Sequence, residues 1–379
     1  MSPRAWLRLY ASSWIASMSS TERIRSRLGD LTVSQDSRRR PVKSTERNPG
    51  PYPYYGASGI VDYVDSFIFE GLHLLIAEDG ENLRSRNTPV AFLADGQFWV
   101  NNHAHVLQGN SLSDTRYLAY AVEQLDLSGY LTGSTQPKLT KGALDSVMLD
   151  VPPLAEQQAI AEVLGALDDK IAANTALTST TWDLMETEFR LVQSGPDHAR
   201  TTLGAIASFE YGKALPASAR ESGDVSVIGS GGPSGFHSAA LVDHPGVVVG
   251  RKGSAGSVHW VSGPHFPIDT TFYVRGNREG ISQPYLYFLL RTLRLNEMNN
   301  DSAVPGLNRS EALALPVMLP AAERINNFTG KAETQIALVE VVARENRTLA
   351  ATRDLLLPQL MSGKLRVREA ETIASAAGA

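Results

Sequence analysis

Two histidines two residues apart, His103 and His105, have the residue type and spacing of a metal-binding pair. In a strand they would face the same side and could share one ion. No third ligand stands at a suitable spacing, and the matching place later in the chain, residues 268–271 (Ile-Asp-Thr-Thr), has no histidine. Contact with a base or a substrate and a purely structural role therefore both stay open, and we predict no metal site.

Three segments rich in glycine or proline resemble catalytic or cofactor motifs but have the wrong spacing. Residues 48–52, Asn-Pro-Gly-Pro-Tyr, look like the Asn-Pro-Pro-Tyr motif of amino-methyltransferases, but the inserted Gly50 spoils its turn. Residues 229–235 do not have the spacing of a dinucleotide fingerprint, and Pro233 lies inside them. Residues 250–254 lack the phosphate-loop order of Gly-Lys-Ser after four spacer residues. We therefore expect no catalytic residue and no cofactor bound by this chain.

Side chains that could bind DNA occur in both halves of the sequence, as Arg or Lys close to Gly, Ser, Asn or Tyr. Such residues anchor phosphates and make bidentate contacts to base edges. The candidates in the first half are Arg38, Arg39, Arg40, Lys43, Tyr54, Tyr55, Arg84, Arg86, Asn101, Asn102, His103 and Lys138. The candidates in the second half are Lys213, Arg220, Arg251, Lys252, Ser254, Asn308 and Arg309. Because the net charge is −5 and the isoelectric point about 5.9, any surface for a polyanion must be local.

The chain of 379 residues is long enough for two domains with hydrophobic cores. It has no cysteine, which excludes disulfides and thiolate zinc sites and fits a cytoplasmic location. Residues 1–20 faintly resemble a signal segment, but Arg8 interrupts the apolar stretch and no run reaches membrane-spanning length. We expect this segment to be a disordered extension, or Met18 to be the true start, and we expect no association with a membrane.

Two long amphipathic runs must position the candidate side chains. Two prolines precede the first run, and Gly363 is placed to end the second. Apolar residues recur along both at intervals of three and four, as on one face of a helix. The predicted core positions are Ile160, Leu164, Leu167, Ile171, Leu177, Leu184, Ile325, Phe328, Ile336, Val339, Val342, Leu349 and Leu356.

The length of these runs indicates that they pair. Roughly 38 residues at about 1.5 Å each make a rod of about 57 Å, which is too long for an ordinary globular helix. Asn174 and Asn346 interrupt the two apolar stripes, as polar residues do where they fix the register of a coiled coil. Because the second domain must fit between the end of the first run and the start of the second, we predict that the two runs form an antiparallel coiled coil.

The order of motifs in the first half returns in the second, which indicates an internal duplication. Leu28-Gly29 is echoed by Leu203-Gly204, residues 56–59 by residues 229–232, and Pro137-Lys138-Leu139 by Pro305-Gly306-Leu307. Alternating apolar patterns predict short strands. They lie at residues 60–64, 67–69, 72–77, 90–93, 98–100 and 105–107, with a helix at 117–127. We therefore give the repeat of a mixed α/β unit followed by a long helix more weight than the secondary structure predicted for any single segment.

Several segments resemble the specificity (S) subunit of type I restriction–modification systems, and the likeness extends over about residues 28–365. Its most telling pieces are residues 152–160 (Pro-Pro-Leu-Ala-Glu-Gln-Gln-Ala-Ile), residues 167–171 (Leu-Asp-Asp-Lys-Ile) and residues 355–365. Residues 53–59 and 79–83 also match a first target-recognition domain of that family. Departures occur at Asn326-Asn327, where apolar packing would be expected, and in the N-terminal tail.

The fold that follows is α/β (α+β), with two tandem mixed α/β target-recognition domains and pseudo-two-fold symmetry. The two domains are separated by two long helices that form an antiparallel coiled coil. The predicted boundaries are an N-terminal extension at 1–20, domain 1 at 21–151, helix 1 at 152–193, domain 2 at 194–319, helix 2 at 320–364 and a disordered tail at 365–379.

The resemblance implies a non-catalytic subunit that binds double-stranded DNA, each domain reading one half of a split sequence. Two methyltransferase (M) subunits would dock on the helices, and restriction (R) subunits would join the complex. S-adenosylmethionine and ATP would act on those partners, and helix length would set the spacer between half-sites. The alternatives are a self-contained DNA methyltransferase or nuclease with fused recognition domains, and a coiled-coil scaffold that does not bind DNA.

Overall fold

The computed structural model describes residues 23–195, 197–298 and 306–379. It consists of two compact units. Unit 1 runs to Ala172 and resumes at Asn346, and unit 2 comprises Ala173–Glu345. The predicted N-terminal extension and Pro305 lie outside the described residues. Within the described ranges, no helix combines the length and the apolar character that crossing a membrane requires.

Unit 1 is built on two small sheets and a two-stranded ribbon. Its strands are β1 (Ile24–Arg27), β2 (Thr32–Ser34), β3 (Tyr52–Gly56), β4 (Gly59–Val64), β5 (Phe69–Glu70), β6 (His73–Ala77), β7 (Ala91–Ala94), β8 (Gln97–Val100), β9 (Ala104–Gly109) and β10 (Met148–Val151). Its helices are α1 (Leu28–Leu31), α2 (Asn82–Ser85), α3 (Thr115–Glu123), α4 (Lys141–Asp145) and the first part of α5 (Leu154–Gln193). The strand orders are β2-β9-β6-β7, β4-β3-β8-β5 and β1-β10.

The core of unit 1 forms where α3 covers the strand β6. Every residue of β6 is buried, because β9 and β7 flank it and α3 packs on it. The helix starts where the Asp114 carboxylate accepts a hydrogen bond from the Tyr117 N–H at 2.9 Å. It then turns Tyr117, Leu118 and Val122 into the core. The strands and the helix that the sequence predicts in this region are present, with ends shifted by a few residues.

Unit 2 repeats the element order of unit 1, except that β5 and α2 have no counterparts among its described residues. Its strands are β11 (Ala199–Thr202), β12 (Ala207–Tyr211), β13 (Val225–Gly229), β14 (Gly232–His237), β15 (Gly246–Gly250), β16 (Val258–Val261), β17 (His265–Pro267), β18 (Thr271–Gly276) and β19 (Pro316–Leu319). The helices that follow the end of α5 are α6 (Leu203–Ile206), α7 (Gln283–Thr292), α8 (Arg309–Leu313), α9 (Ala322–Met361) and, back in unit 1, α10 (Val367–Ala377).

The strand orders confirm the internal duplication. The order β2-β9-β6-β7 returns as β12-β18-β15-β16, β4-β3-β8 returns as β14-β13-β17, and β1-β10 returns as β11-β19. Individual backbone bonds repeat as well. The Leu28 N–H donates to the Val147 carbonyl at 2.8 Å, and the Leu203 N–H donates to the Leu315 carbonyl at 2.9 Å. The two units therefore share a topology of mixed α/β type.

Each unit contains its own part of the pair formed by α5 and α9. In unit 1, Arg353 of α9 donates to the Asp168 carboxylate of α5 at 2.8 Å, and the Asn346 amide reaches the Ile171 carbonyl at 3.5 Å. Later residues of α5 thus face earlier residues of α9, so the two segments are antiparallel.

The segments in unit 2 run the same way. There the Asn174 amide donates to Glu345 at 2.7 Å, and Lys331 donates to Glu188 at 3.1 Å. Antiparallel pairing is therefore present within each unit, with Asn174 and Asn346 both engaged across the helix pair.

The apolar stripe predicted for α5 is wrong in its second part. Leu177 is 44% exposed and Leu184 is 49% exposed, whereas Asn174, Thr181 and Met185 are buried. The true stripe continues through polar residues whose hydrogen bonds are made within the unit, and an apolar pattern overlooks these. Of the other predicted core positions, Ile171 and Val339 are half-buried. The following are buried: Ile160, Leu164, Leu167, Ile325, Phe328, Ile336, Val342, Leu349 and Leu356.

The C-terminal segment is a helix and not the disordered tail that the sequence suggested. In α10, Ala370 and Ala374 lie four residues apart on one face and are buried in the core of unit 1. The Glu369 carboxylate accepts a hydrogen bond from the Arg366 N–H at 3.3 Å at the start of the helix, and Gly378 ends it with a positive φ of 103°. Small alanines give a weak apolar signal, which explains the wrong expectation.

Candidate nucleic-acid interface

An exposed turn at residues 101–103 links β8 to β9 in unit 1. The Asn101 N–H donates to the Tyr55 carbonyl at 3.0 Å, which fixes the start of the turn on the neighbouring strand. Asn101 itself is buried, and its side-chain oxygen accepts a hydrogen bond from the His103 N–H at 2.7 Å. Asn101 therefore shapes the turn, and Asn102 and His103 are the side chains that it exposes.

The ring of His103 is held by Asp79, a residue that sequence reasoning did not include among the candidates. Nδ1 lies 2.8 and 2.9 Å from the two carboxylate oxygens of Asp79, while half of the His103 side chain remains exposed. Because an ionised carboxylate only accepts, Nδ1 carries the hydrogen and donates it. Asp79 follows β6 and His103 precedes β9, so the antiparallel pairing of those strands was the signal that could have found this contact.

The second histidine of the pair has a different environment. His105 is buried, with Nδ1 2.6 Å from the Asp36 carboxylate and Nε2 2.8 Å from the Leu139 carbonyl oxygen. Burial alone would raise the pKa of Asp36, but hydrogen bonds from His105 and from the Val106 N–H outweigh it and hold that pKa below its ordinary value. His105 therefore belongs to the interior, and the two histidine rings contact different carboxylates.

Two of the basic candidates are engaged by one half-buried acid. Glu78 accepts from Arg39 at 2.6 Å and from Lys138 at 3.1 Å. Burial tends to raise the pKa of Glu78, yet these two cations lower it overall. Arg39 also donates to the Ala104 carbonyl at 2.8 Å and is largely buried. Arg39 consequently supports the strands beneath the turn, whereas the half-exposed Lys138 already has its charge paired with Glu78.

The tyrosine candidates are packing residues. Tyr54 is buried, and its hydroxyl accepts a hydrogen bond from the Val42 N–H at 2.9 Å. Tyr55 is half-buried against Phe92 and Phe98, and burial raises the pKa of its hydroxyl. The expectation that Tyr54 contacts DNA is therefore wrong, because the alternation of β3 points its side chain into the core.

Several other cations of unit 1 bind the protein itself. Arg84 donates to the Gly133 carbonyl at 2.8 Å, and Arg86 donates to the Leu125 carbonyl at 2.5 Å. Arg38 donates to the Gln35 side chain at 2.5 Å and lies over the ring of Phe69. Lys43 makes a loose, exposed ion pair of 3.7 Å with Glu46.

Residues 48–51 of the segment 48–52 form a structural loop, and Tyr52 begins β3. The Asn48 carbonyl accepts from the Asp65 N–H at 3.1 Å, and the Asn48 amide donates to the Asp65 carboxylate at 3.0 Å. A Cβ on Gly50 would come within 2.3 Å of the Asp65 Cα, so only glycine fits beside that backbone. The likeness to a methyltransferase motif thus has a packing explanation.

Arg40 differs from its neighbours because its side chain is exposed and makes no hydrogen bond or ion pair within the described residues. Its backbone is fixed beside the exposed turn. The Arg40 N–H donates to the Val100 carbonyl at 3.3 Å, and the Arg40 carbonyl accepts from the Trp99 indole at 2.6 Å.

A second exposed turn, residues 268–270, occupies the matching place in unit 2. The Ile268 N–H donates to the Ile228 carbonyl at 2.9 Å. Beside this turn, the Lys213 N–H donates to the Pro267 carbonyl at 3.1 Å, and the Lys213 side chain is exposed without a partner among the described residues. Unit 2 thus presents a cation next to its turn, as unit 1 does.

The remaining candidates of unit 2 fall into two groups. Arg251 and Arg309 both contact one aromatic ring, with their guanidinium carbons 5.0 and 5.5 Å from the Tyr211 centroid. Asn308 caps α8 by accepting from the Ser310 N–H at 2.9 Å. In addition, Arg220 donates to a backbone carbonyl at 2.5 Å. Lys252 and Ser254, by contrast, are exposed in the segment that follows β15.

Both units therefore present an exposed turn with a cation beside it, supported by main-chain hydrogen bonds. Exposed Asn, His, Lys and Ser side chains can donate to or accept from base edges, and exposed cations can bind phosphates. Among the described residues, no group of three or more His, Asp or Glu side chains is arranged to hold a metal ion. This chemistry fits recognition of nucleic acid.

Comparison with known proteins gives results consistent with that chemistry. Residues 25–180 match the model of the type I restriction modification DNA specificity domain. An inferred type I restriction enzyme specificity subunit of Haemophilus influenzae is 38% identical over 152 residues, which is 40% of this chain and 37% of the relative. The EcoprrI type I restriction enzyme specificity subunit of Escherichia coli is 30% identical over 120 residues, which is 31% of this chain and 28% of the relative.

The matched part spans less than two fifths of the length of either relative. The crystal structure of a type I restriction-modification S subunit from M. genitalium aligns more widely, over 91% of this chain and 98% of that one. Its TM-score is 0.68 at 18% sequence identity. This second likeness establishes a common fold.

Proposed function

We propose that the chain is a DNA-binding specificity subunit, because its residues 25–180 match the model of the type I restriction modification DNA specificity domain. It would recognise a bipartite sequence in double-stranded DNA and direct the other subunits of a type I restriction–modification complex. The observation that supports this proposal best is the duplication of one topology with different side chains at the two exposed turns. Two similar units with different surface chemistry suit two different half-sites.

The proposed role is binding, and the chemical steps are assigned to partners. Two methyltransferase subunits would carry S-adenosylmethionine, and restriction subunits would use ATP, all in the cytoplasm. The candidate side chains of the described residues are hydrogen-bond donors and acceptors on turns, as a recognition surface requires.

Footprinting tests the proposal. The purified chain, alone and with its methyltransferase subunits, is incubated with a DNA library, and the bound or methylated sequences are read. We expect one split sequence to be protected, and methylation to require the partner. Methylation of DNA by the chain alone would favour the self-contained methyltransferase. Partner assembly without any selective DNA binding would favour the scaffold.

A further inference from the structure

We propose that Arg40 in unit 1 and Lys213 in unit 2 are equivalent phosphate anchors, and that His103 in unit 1 and Lys252 in unit 2 select bases. This division of roles rests on the proposed function, because it requires that both units bind DNA. It assigns the contacts that position the protein and the contacts that specify the sequence to different residues.

The equivalence of the two anchors follows from the backbone. Arg40 donates its N–H to Val100, the last residue of β8, and Lys213 donates its N–H to Pro267, the last residue of β17. In unit 1, β8 pairs in parallel with β3. In unit 2, β17 pairs in parallel with β13, which holds the place of β3 in the repeated strand order. The two cations therefore occupy the same place in the repeated topology, immediately beside the exposed turn.

The two anchor side chains are also available. Neither forms a hydrogen bond or ion pair within the described part of the chain, and both are exposed. A phosphate can therefore bind without breaking an existing ion pair. Arg39 and Lys138 lie close to the same turn in sequence or space, but their charges are already paired with Glu78.

A second set of equivalent positions lies across from each turn. These positions carry charges of opposite sign in the two units, whereas the two anchors carry the same sign. The Glu78 N–H donates to the His103 carbonyl at 2.8 Å, and the Arg251 N–H donates to the Thr270 carbonyl at 2.8 Å. Glu78 and Arg251 are thus equivalent, and so are the residues that follow them, the acid Asp79 and the base Lys252.

This contrast separates the two roles. Every DNA backbone carries the same negative charge, so a residue that binds phosphate needs the same sign in both units. Two half-sites of different sequence present different donors and acceptors in the groove, so residues that read bases need different chemistry. Arg40 and Lys213 satisfy the first condition, whereas His103 with Asp79, and Lys252, satisfy the second.

The two proposed base-contacting residues, His103 and Lys252, differ in whether they accept or donate a hydrogen bond. This difference predicts the class of base that each one contacts. Nδ1 of His103 donates to Asp79, and in the tautomer that carries its hydrogen on Nδ1 alone the other ring nitrogen, Nε2, is an acceptor, which matches the amino group of adenine or cytosine. The ammonium group of Lys252 can only donate, which matches O6 and N7 of guanine. The two units therefore select bases of opposite hydrogen-bond character.

Four alanine variants of the full chain, assembled with its methyltransferase subunits, test the proposal. They are Arg40→Ala, Lys213→Ala, His103→Ala and Lys252→Ala. Arg25→Ala and Arg278→Ala serve as controls, since both remove an exposed cation that stands away from the two turns in sequence and has no side-chain partner in the described residues. DNA affinity is measured as a function of salt, and the preferred bases are found by selection from a random library.

We expect the anchor variants to weaken binding to target and unrelated DNA alike. The logarithm of the DNA association constant falls linearly with the logarithm of the salt concentration. Each anchor variant should make this slope less steep by about 1, while the selected sequence is unchanged. Arg40→Lys and Lys213→Arg should restore the slope. The reader variants should leave the slope unchanged and relax the selected base, about tenfold or more, within one half-site.

Each part can fail separately. An Arg40→Ala variant that changes the selected bases, or that leaves the slope equal to that of Arg25→Ala, would overturn the assignment of the anchors. A His103→Ala variant that lowers the slope and keeps the base preference would overturn the assignment of the reader. If the unaltered complex shows no sequence-selective binding at all, the proposed function itself fails.

Discussion

Replacing Met185 and Leu184 separately by alanine measures which face of α5 is buried in unit 2. The two residues are adjacent, and both are large and apolar. Met185 is fully buried in the core of the unit, whereas Leu184 is 49% exposed. The periodicity of the sequence places Leu184 in the core, so the pair of variants decides between the pattern and the structure.

The expected costs differ by a clear margin. Truncating a buried methionine loses its transfer free energy and leaves a cavity, so Met185→Ala should lower the free energy of unfolding by about 2–5 kcal/mol. Leu184 loses the burial of only half a side chain, and its replacement should cost at most about 1 kcal/mol. Helix propensity cannot explain the difference, because both variants introduce the same residue at neighbouring positions.

Urea unfolding followed by circular dichroism gives the measurement. The midpoint of Met185→Ala should fall well below that of the unaltered chain, with Leu184→Ala close to the latter and a similar slope for all three. Equal midpoints for the two variants, or a larger loss for Leu184→Ala, would refute the assignment of Met185 to the buried face of α5 and of Leu184 to its exposed face.

Three further outcomes follow from contacts in unit 1. The lowered pKa values of Glu78 and Asp36 mean that their contribution to stability is complete above the ordinary values of 4.5 and 3.8 and is lost as the pH falls through the lowered values. Glu78→Gln should therefore flatten the acid side of the melting-temperature curve, and an unchanged slope would contradict this. Ala374→Asp should release α10, because it places an unpaired charge in the core, and limited proteolysis should then cleave near its start, with an exposed substitution such as Ser375→Asp as control. Asp79→Ala should free the His103 ring and weaken base preference in one half-site; a change in salt dependence instead would count against that role.

The sequence was sufficient to predict the repeated mixed α/β units and the paired helices. Echoes such as Leu28-Gly29 and Leu203-Gly204 mark positions where the backbone itself bonds in the same way, so they survive differences in side chains. Strand β3 was missed because Tyr52–Gly56 lies among prolines and glycines, which favour turns. Pro53 lies opposite Tyr63 of β4, but the parallel pairing with β8 involves only Tyr54 and Tyr55, so the missing N–H of the proline falls outside that second ladder.

The site was harder to predict than the fold. Sequence shows that Arg39 and Arg40 are both cations, but it does not show that the first is paired with a half-buried acid and that the second has no side-chain partner in the described ranges. The role of a cation depends on which distant residue lies opposite, here Glu78. Tyr54 was misplaced for a related reason, since strand alternation can be assigned only once the strand itself is known.

The two exposed turns are held by main-chain groups, through the N–H groups of Asn101, Ile268, Arg40 and Lys213. Every amino acid except proline supplies the same backbone donor, so replacing the outward side chains costs the scaffold little. Point substitutions at these few places could therefore generate new target preferences one unit at a time, and natural variation among descendants of this gene should concentrate there.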